Sequence, residues 1–214
     1  MERLQAAIEK AREQREGGHT AGRTQQSAST AAQQAAARDD KELEAIWMEL
    51  PVIKLPPTPR LSQNRVRTVQ AGGEAAPFEL LRTRLLQQAK KNGWRRIGFV
   101  SPHSACGKST TVANLAFSLA RQSDTRTLAL DFDLRRQGLT RLLNQSPTNN
   151  HWEVLEGQIP FSDHSVRHGS NVAFGFNSTY SPKASEILQS AKTQEVLDKN
   201  EEQKEPAERL YDLP

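Results

Sequence analysis

The sequence predicts an α/β fold in which a parallel β-sheet is flanked by helices. Two apolar runs, residues 97–100 and 127–130, have the length and composition of buried strands. Between them, Val112, Leu115 and Leu119 recur at helical spacing. A strand, a helix and a second strand within about 30 residues form one βαβ unit, and such units build parallel sheets.

The loop between the first strand and the helix has the composition of a phosphate-binding loop. Residues 101–111 read Ser-Pro-His-Ser-Ala-Cys-Gly-Lys-Ser-Thr-Thr. A small-residue loop that opens a helix directs backbone N–H groups and a positive helix end at one spot, which suits the β-phosphate of a nucleoside triphosphate. Lys108 would reach the β- and γ-phosphates, and the Ser109 hydroxyl would bind Mg²⁺. The alternative is an ordinary helix start, since Pro102 stands where Gly-x-x-x-x-Gly-Lys has its first glycine.

Two carboxylates follow the second strand. Asp131 and Asp133 lie at alternate positions where the run 127–130 ends, and Asp131 follows Lys108 by 23 residues. Side chains two apart on a strand face the same way, and the carboxyl ends of parallel strands line the ligand crevice. We therefore expect both acids to face the space that Lys108 faces, holding the water shell of the ion and accepting a proton. The alternative is a solvated strand end.

A third acid lies near the last residue of the sequence. Asp212 closes the short stretch Leu210-Tyr211, as a Walker B carboxylate closes an apolar strand and holds Mg²⁺ through water. Glu208 and Arg209 occupy positions where a buried strand is apolar, so a tail residue is the alternative interpretation.

The order of these motifs resembles the bacterial tyrosine kinases of capsule and exopolysaccharide export. The chain looks most like the CpsD/CapB-type proteins, within the MinD/ParA class of P-loop ATPases. The resemblance extends over residues 74–214, through Leu-Ala-Leu-Asp-Phe-Asp-Leu-Arg-Arg at 128–136 and Ser-Glu-Ile-Leu-Gln-Ser at 185–190.

The resemblance implies ATP-dependent phosphorylation of tyrosines, with ATP and Mg²⁺ bound at the P-loop. Lys108, Asp131 and Asp133 would be catalytic, Asp133 being the better candidate for the base. Ser109, Asp131 and Asp212 would bind the metal. The nucleotide-binding residues would be Ser104, Ala105, Cys106, Gly107, Lys108, Ser109, Thr110 and Arg135.

Two departures from the pattern of that family bear on nucleotide binding and self-phosphorylation. Ala105 stands where the family usually has glycine, and its methyl group is strained if the loop needs a positive φ there. The family's C-terminal tyrosine cluster is absent, because Tyr180 and Tyr211 are the only tyrosines of the sequence. Self-phosphorylation on a tyrosine tail is therefore not expected.

Composition divides the chain into two regions. Apolar residues make up only 36% of the sequence, and the deficit is concentrated in the first third. We expect residues 1–73 to form a flexible or partly helical region with a Pro-rich linker, and residues 74–214 to form the P-loop domain. Because a doubly wound domain normally continues past its Walker B strand, we expect the sheet to be incomplete at its C-terminal end or completed by another chain.

Charge and cysteine content limit the partners and the cellular compartments that fit this sequence. A single cysteine excludes an internal disulfide, and no long apolar run predicts a membrane span or a secretion signal, so a cytoplasmic location is expected. The resemblance implies a membrane-embedded polysaccharide co-polymerase as activator, which would bring the chain to the membrane surface, and self-association into homo-oligomers.

Nucleic acid is not expected, because no recognition helix or stacking aromatics accompany the positive charge. The net charge is +4, with a run of cations free of acids at Arg82, Arg84, Lys90, Lys91, Arg95 and Arg96.

Two other functions remain open at this point. One is an ATP-hydrolysing switch of the MinD/ParA type that phosphorylates no protein. The other is a non-catalytic interaction module, which Ala105 and the weak strand before Asp212 would favour.

Overall fold

The computed structural model describes residues 44–70, 72–122, 125–202 and 207–213, without the side chains of residues 199–202, 207–209 and 212. The chain divides between Ala45 and Ile46, and the description below concerns the second part. The helix expected within residues 1–16 and the Ala/Gln/Ser/Thr stretch at 21–37 lie outside the described residues.

Helices and strands alternate through most of the described chain. Residues 44–49 form α1, and a short 3₁₀ helix spans Gly73–Ala75. The other helices are α2 (Thr58–Gln63), α3 (Ala76–Asn92), α4 (Lys108–Leu119), α5 (Gly138–Leu142), α6 (His151–Leu155), α7 (Phe161–His164), α8 (Ala184–Gln189) and α9 (Ala191–Glu202). The strands are β1 (Arg96–Phe99), β2 (Arg126–Asp131), β3 (Val166–His168), β4 (Val172–Gly175) and β5 (Ala207–Asp212).

The five strands form one sheet in the order β1-β5-β2-β4-β3. The pairs β1–β5, β5–β2 and β2–β4 are parallel, and β3 joins the edge antiparallel to β4. The predicted α/β fold with a parallel sheet is confirmed, and the antiparallel edge strand is an addition to it. The topology places β5, the last described strand along the chain, between the first two.

Both faces of the sheet are covered. Along β2, Ala129 packs into one core with Leu115 and Leu119 of α4, whereas Leu128 and Leu130 pack into a second core with Leu155 and Ile187. Alternate side chains of a strand point to opposite faces, so a strand buried on both faces is apolar at every position. This burial explains the unbroken apolar run at 127–130.

Residues before position 74 contribute to both cores. Trp47 and Leu50 pack into the second core, and Ile53, Leu61 and Val66 pack into the first. The segment predicted as a Pro-rich linker therefore lies on the body of the fold, and its backbone is bonded there: the Ile53 N–H donates to the Arg167 carbonyl at 2.8 Å. Proline removes N–H donors but leaves the residues between prolines able to pair and to bury their side chains.

The apolar positions Ile187, Leu188 and Val196 predict a single helix from Ser185 to about Asn200, but the structure has two helices there. Ser190 has an extended backbone, with φ −71° and ψ 144°, and separates α8 from α9. Its hydroxyl accepts a hydrogen bond from the Thr193 N–H at 3.0 Å, as the N-cap of a new helix does. A serine inside an apparently continuous helical pattern thus starts a second helix. Within the described residues, no helix is both long enough and apolar enough to cross a membrane.

Candidate nucleotide-binding site

The loop between β1 and α4 ends in a left-handed turn at the helix start. Gly107, the N-cap of α4, has φ 87° and ψ 11°, and its carbonyl accepts hydrogen bonds from the N–H and the hydroxyl of Thr111 at 2.8 and 3.0 Å. A Cβ added at Gly107 would meet no atom within 4 Å, so backbone conformation rather than space requires glycine there. The turn leaves the first N–H groups of α4 without helical carbonyl partners, as at every helix start.

Ala105 also has a positive φ, of 64°. The family that the motifs resemble usually has glycine at this position, and the loop adopts the positive φ with alanine in place. The left-handed region costs an L-residue about 1–2 kcal/mol because Cβ crowds the following carbonyl oxygen. The loop therefore carries local strain beside the candidate site.

The loop lines one wall of a cavity of about 1000 Å³. All ten residues from 101 to 110 contribute to that wall, among them Ser104, Cys106, Ser109 and Thr110. The lining also includes three arginines, Arg65, Arg136 and Arg141. Together with Lys108 these give four cationic side chains against one acid, Asp133, around the same space. Such an excess of positive charge next to a helix N-terminus favours a polyanionic ligand.

Lys108 and Asp133 meet inside this cavity. The Lys108 Nζ lies 3.7 Å from the Asp133 Oδ2, and only 9% and 7% of the two side chains are exposed. Asp133 is held by its own loop, because its Oδ1 accepts a hydrogen bond from the Arg136 N–H at 3.1 Å. The prediction that Asp133 faces the same space as Lys108 agrees with this arrangement.

Asp131 occupies a different environment from Asp133. It is fully buried and accepts hydrogen bonds from the Asp133 N–H at 3.3 Å and the Thr140 hydroxyl at 3.3 Å. It is not among the residues that line the cavity. The rule that residues two apart face the same way holds within a strand, and β2 ends at Asp131, so it does not extend to Asp133. Asp131 therefore holds together the chain segments that carry Asp133 and Thr140.

The neighbouring arginines are also placed differently from the prediction. Arg135 donates a hydrogen bond to the Ser185 hydroxyl at 2.7 Å and does not line the cavity, whereas Arg136 does. Residues 134–136 form a turn, so adjacent side chains diverge. The nucleotide-binding role of Arg135 therefore stays a prediction, and Arg136 is the one of the two that lines the cavity.

Asp212 ends β5 at the same edge of the sheet. Its Cα is in register with Asp131 on β2 and with Phe99 on β1, the last residues of those strands. The neighbouring Leu213 N–H donates to the Phe99 carbonyl at 3.1 Å, and its side chain lies against Gly98, where an added Cβ would come within 2.8 Å of Leu213 Cδ1. The backbone therefore brings Asp212 to the carboxyl edge at which the cavity lies. Among the residues whose side chains are described, no group of three or more His, Cys, Asp or Glu is arranged to hold a metal ion.

Asn64, Arg65 and Arg141 are among the cavity residues that were not predicted. The segment that carries the first two is tied to α4 by Asn114, a fully buried side chain. Its Nδ2 donates to the carbonyls of Arg65 at 2.9 Å and Thr110 at 2.8 Å, and its Oδ1 accepts from the Arg67 N–H at 2.7 Å. A lone asparagine inside the helical pattern of α4 was the only local signal, and it did not reveal its partner segment.

Comparison with known proteins gives structural neighbours only. No protein-family model matches the chain, and no curated protein matches it significantly. Among solved structures, the BceF tyrosine kinase domain is 25% identical over 64% of this chain and 54% of its own, with a TM-score of 0.55. Bacterial tyrosine kinase domains are prominent among the structural neighbours. The resemblance read from the motifs is confirmed at the level of the fold.

Two further neighbours agree with that finding. The chimerical protein CapA2B2 is 19% identical over 76% of this chain and 70% of its own, with a TM-score of 0.59. The kinase domain of the Escherichia coli tyrosine kinase ETK is 20% identical over 66% of this chain and 55% of its own, with a TM-score of 0.56. The match thus spans about half the length of the BceF and ETK kinase structures.

Proposed function

We propose that this chain binds ATP in the cavity beside α4 and transfers its γ-phosphoryl group to tyrosine. The observation that carries the proposal is the lining of that cavity: a helix N-terminus, Lys108 and three arginines surround one carboxylate. A triphosphate carries several negative charges, and Lys and Arg side chains form charge-assisted hydrogen bonds with phosphate oxygens. The nucleotide-binding residues in this proposal are those of the loop, Ser104, Ala105, Cys106, Gly107, Lys108, Ser109 and Thr110.

Ser109, Asp131 and Asp212 are the proposed ligands of Mg²⁺. The Ser109 hydroxyl opens α4 beside the cavity, and Asp131 and Asp212 are paired in register at the ends of β2 and β5. Hydroxyl and carboxylate oxygens are the ligands that Mg²⁺ prefers. When bound, the ion would offset negative charge on the phosphate oxygens.

Asp133 is the proposed general base. Its carboxylate lies at the cavity wall next to Lys108 and can accept the proton of an incoming tyrosine hydroxyl. In the reaction the tyrosine oxygen forms a bond to the γ-phosphorus, the bond to the β-γ bridging oxygen breaks, and ADP leaves. Lys108 would stabilise the charge that develops on the phosphate oxygens.

The cellular role proposed is regulation of exopolysaccharide or capsule polymerisation and export. It rests on the resemblance of the motifs to the kinases of that process and on the kinase domains among the structural neighbours. A membrane-embedded co-polymerase would be the activating partner, and the chain would act from the cytoplasmic side, alone or as a homo-oligomer.

An ATPase switch that phosphorylates no protein is the second candidate, because the same cation-rich cavity would bind its ATP. Incubation of the purified chain with γ-labelled ATP, Mg²⁺ and a tyrosine-rich peptide separates the two. Label on tyrosine supports the kinase, and free phosphate without labelled tyrosine supports the switch. No ATP affinity would contradict both and leave an interaction module.

The control for this experiment is a pair of lysine variants. Lys108→Ala removes the cation beside Asp133, whereas Lys183→Ala removes an exposed lysine outside the cavity lining. The proposal requires loss of labelling in the first variant and unchanged labelling in the second. Equal labelling in both would mean that the activity belongs to a contaminating kinase.

A further inference from the structure

A cation-rich turn joins α3 to β1. Lys90 and Lys91 lie in the last turn of α3, and Trp94 and Arg95 lie between the helix and the strand. All four side chains are exposed, including 55% of Trp94. We call Lys90, Lys91, Trp94 and Arg95 the basic turn.

The backbone fixes the basic turn in one conformation. Gly93 ends α3 in the left-handed region at φ 68°, and the Trp94 N–H donates to the Ala89 carbonyl at 2.9 Å. Such a C-cap holds the chain reversal with hydrogen bonds to the helix end. Lys90, Trp94 and Arg95 line one groove of about 380 Å³, together with Leu86 and the buried Ala89. The cations and the indole therefore share one surface.

The charges of this surface are not used by the fold. Of the six cations in the acid-free run, Arg82 donates to the Ser118 carbonyl at 2.9 Å, and Arg96 pairs with Asp198 at 2.7 Å. Among the described residues, no ion pair is formed by the remaining four, Arg84, Lys90, Lys91 and Arg95. Structural roles thus account for two members of the run, and the exposed four have none.

We propose that the basic turn docks directly on an anionic phospholipid surface. Cations beside a negatively charged membrane each contribute attraction, and an exposed indole partitions into the headgroup region with its ring in the apolar boundary. An acidic peptide would pair with the cations, but it would not explain why more than half of the Trp94 surface is exposed. A nucleic acid would call for further aromatic or recognition-helix contacts. The lipid surface is the partner that uses both properties.

The position of the basic turn leaves the nucleotide cavity accessible. The turn precedes β1 and so lies at the amino edge of the parallel sheet, whereas the loop 101–110 follows β1 at the carboxyl edge. Docking through one edge keeps the other facing away from the lipid. Membrane binding and nucleotide binding are therefore expected to be independent, so either can fail without the other.

The test is co-sedimentation of the full chain with vesicles. Phosphatidylcholine vesicles with phosphatidylglycerol should pellet the protein, and phosphatidylcholine alone should not. Since each cation near such a surface contributes about 1 kcal/mol, Lys90→Glu with Lys91→Glu should weaken binding by at least about tenfold. The matched control, Lys54→Glu with Lys183→Glu, makes the same charge change at exposed positions outside the turn and should pellet much more like the parent.

The indole gives a second readout. Trp94→Ala should weaken vesicle binding without changing charge, and the blue shift of tryptophan emission on vesicle addition should disappear in Trp94→Phe. Trp47 is 3% exposed and serves as an internal reference that does not shift. Circular dichroism and ATP affinity of each variant check that it is folded.

Three outcomes would overturn the proposal. The first is absence of pelleting with anionic vesicles. The second is an equal loss of vesicle binding in the turn variant and in its charge-matched control. The third is full pelleting with no emission shift, which would mean general electrostatic adsorption. If polyglutamate binds the turn while vesicles do not, the partner is an acidic protein segment and the lipid proposal is wrong.

Discussion

The Lys108 Nζ lies 3.7 Å from the Asp133 Oδ2, and both side chains are almost completely buried. Lys108 begins α4 after the loop that follows β1, and Asp133 lies in the segment after β2. The parallel sheet brings both to the same edge. The Lys108 ammonium and the Asp133 carboxylate are therefore close enough to attract each other directly. A ligand phosphate would compete with Asp133 for Lys108.

Replacing either partner should separate binding from chemistry. Lys108→Ala should weaken ATP binding by about 10- to 100-fold, because it removes a charge-assisted contact and leaves Asp133 without its neighbouring cation. Asp133→Asn should retain ATP affinity and lower phosphotransfer by about 100-fold, since a general base contributes at least that much. Isothermal titration and label transfer measure the two effects. Equal loss of affinity in both variants would contradict the role of Asp133 as base.

Ala105 should respond to glycine with a gain in stability. The positive φ costs alanine about 1–2 kcal/mol, and the greater freedom of glycine in the unfolded chain costs about 0.4–1 kcal/mol. The net change for Ala105→Gly should be an increase of about 0.5–1 kcal/mol in the free energy of unfolding. Ala105→Val, with a branched Cβ at φ 64°, should lower it. Urea unfolding tests the pair; a stabilising valine would show that the loop is not strained.

Two buried histidines should make the protein sensitive to acid. Burial lowers the pKa of His164 from 6.5 to about 4, against the opposing effects of the Glu153 charge and the Phe176 backbone carbonyl, both of which favour the protonated ring. Burial, with repulsion from His164, lowers the pKa of His151 well below its usual value. Between pH 6.5 and about 4 the unfolded chain binds protons that the folded chain does not, so stability falls as the pH falls.

The contribution of His164 can be isolated by substitution. A pKa shift of this size lowers the free energy of unfolding by about 3 kcal/mol between neutral pH and pH values below the pKa of the folded protein. His164→Gln should flatten the fall in the free energy of unfolding between pH 7 and 4, whereas His103→Gln, at an exposed loop position, should leave it steep. Identical pH profiles for the parent and His164→Gln would contradict the expectation.

Any self-phosphorylation should occur at Tyr180. Tyr180 is 66% exposed, whereas Tyr211 is 6% exposed and packs edge-on against Phe132 with ring centroids 4.6 Å apart. The Ser181 N–H donates to the Leu134 carbonyl at 2.9 Å, which holds the Tyr180 segment beside the loop that carries Asp133. Phosphosite mapping after incubation with ATP should find Tyr180 alone. Tyr180→Phe should abolish the label and Tyr211→Phe should not.

Asn114 should be a large contributor to stability. Asn114→Ala would leave the Arg65 and Thr110 carbonyls and the Arg67 N–H without their side-chain partners, at a cost of about 3 kcal/mol. Asn92→Ala, at the exposed end of α3, should cost less than about 0.5 kcal/mol. Because Arg65 lines the nucleotide cavity, ATP affinity should also fall in Asn114→Ala. Wild-type affinity with reduced stability would mean that Arg65 does not contact the nucleotide.

The elements around the P-loop were predictable because their signals are local. The apolar run at 97–100, the helical spacing from Val112 and the apolar run at 127–130 each depend on neighbours within a few residues. The position of Asp133 at the carboxyl edge of the sheet follows directly from where β2 ends. The role of Arg65 was not predictable, since its position depends on Asn114, 49 residues away. The choice between Arg135 and Arg136 depends on a turn whose direction the sequence pattern does not specify.

The central position of β5 has a consequence for synthesis of the chain on the ribosome. β1 and β2 each pair with β5 and not with each other. Two of the three parallel strand pairs therefore cannot form until residues 207–212 have been synthesised. Until then both strands present unpaired edges, which are sites for aggregation or for chaperones to bind. The carboxyl edge that carries the nucleotide cavity is assembled by the same late event. Nascent chains should therefore acquire the ability to bind nucleotide in a single late step.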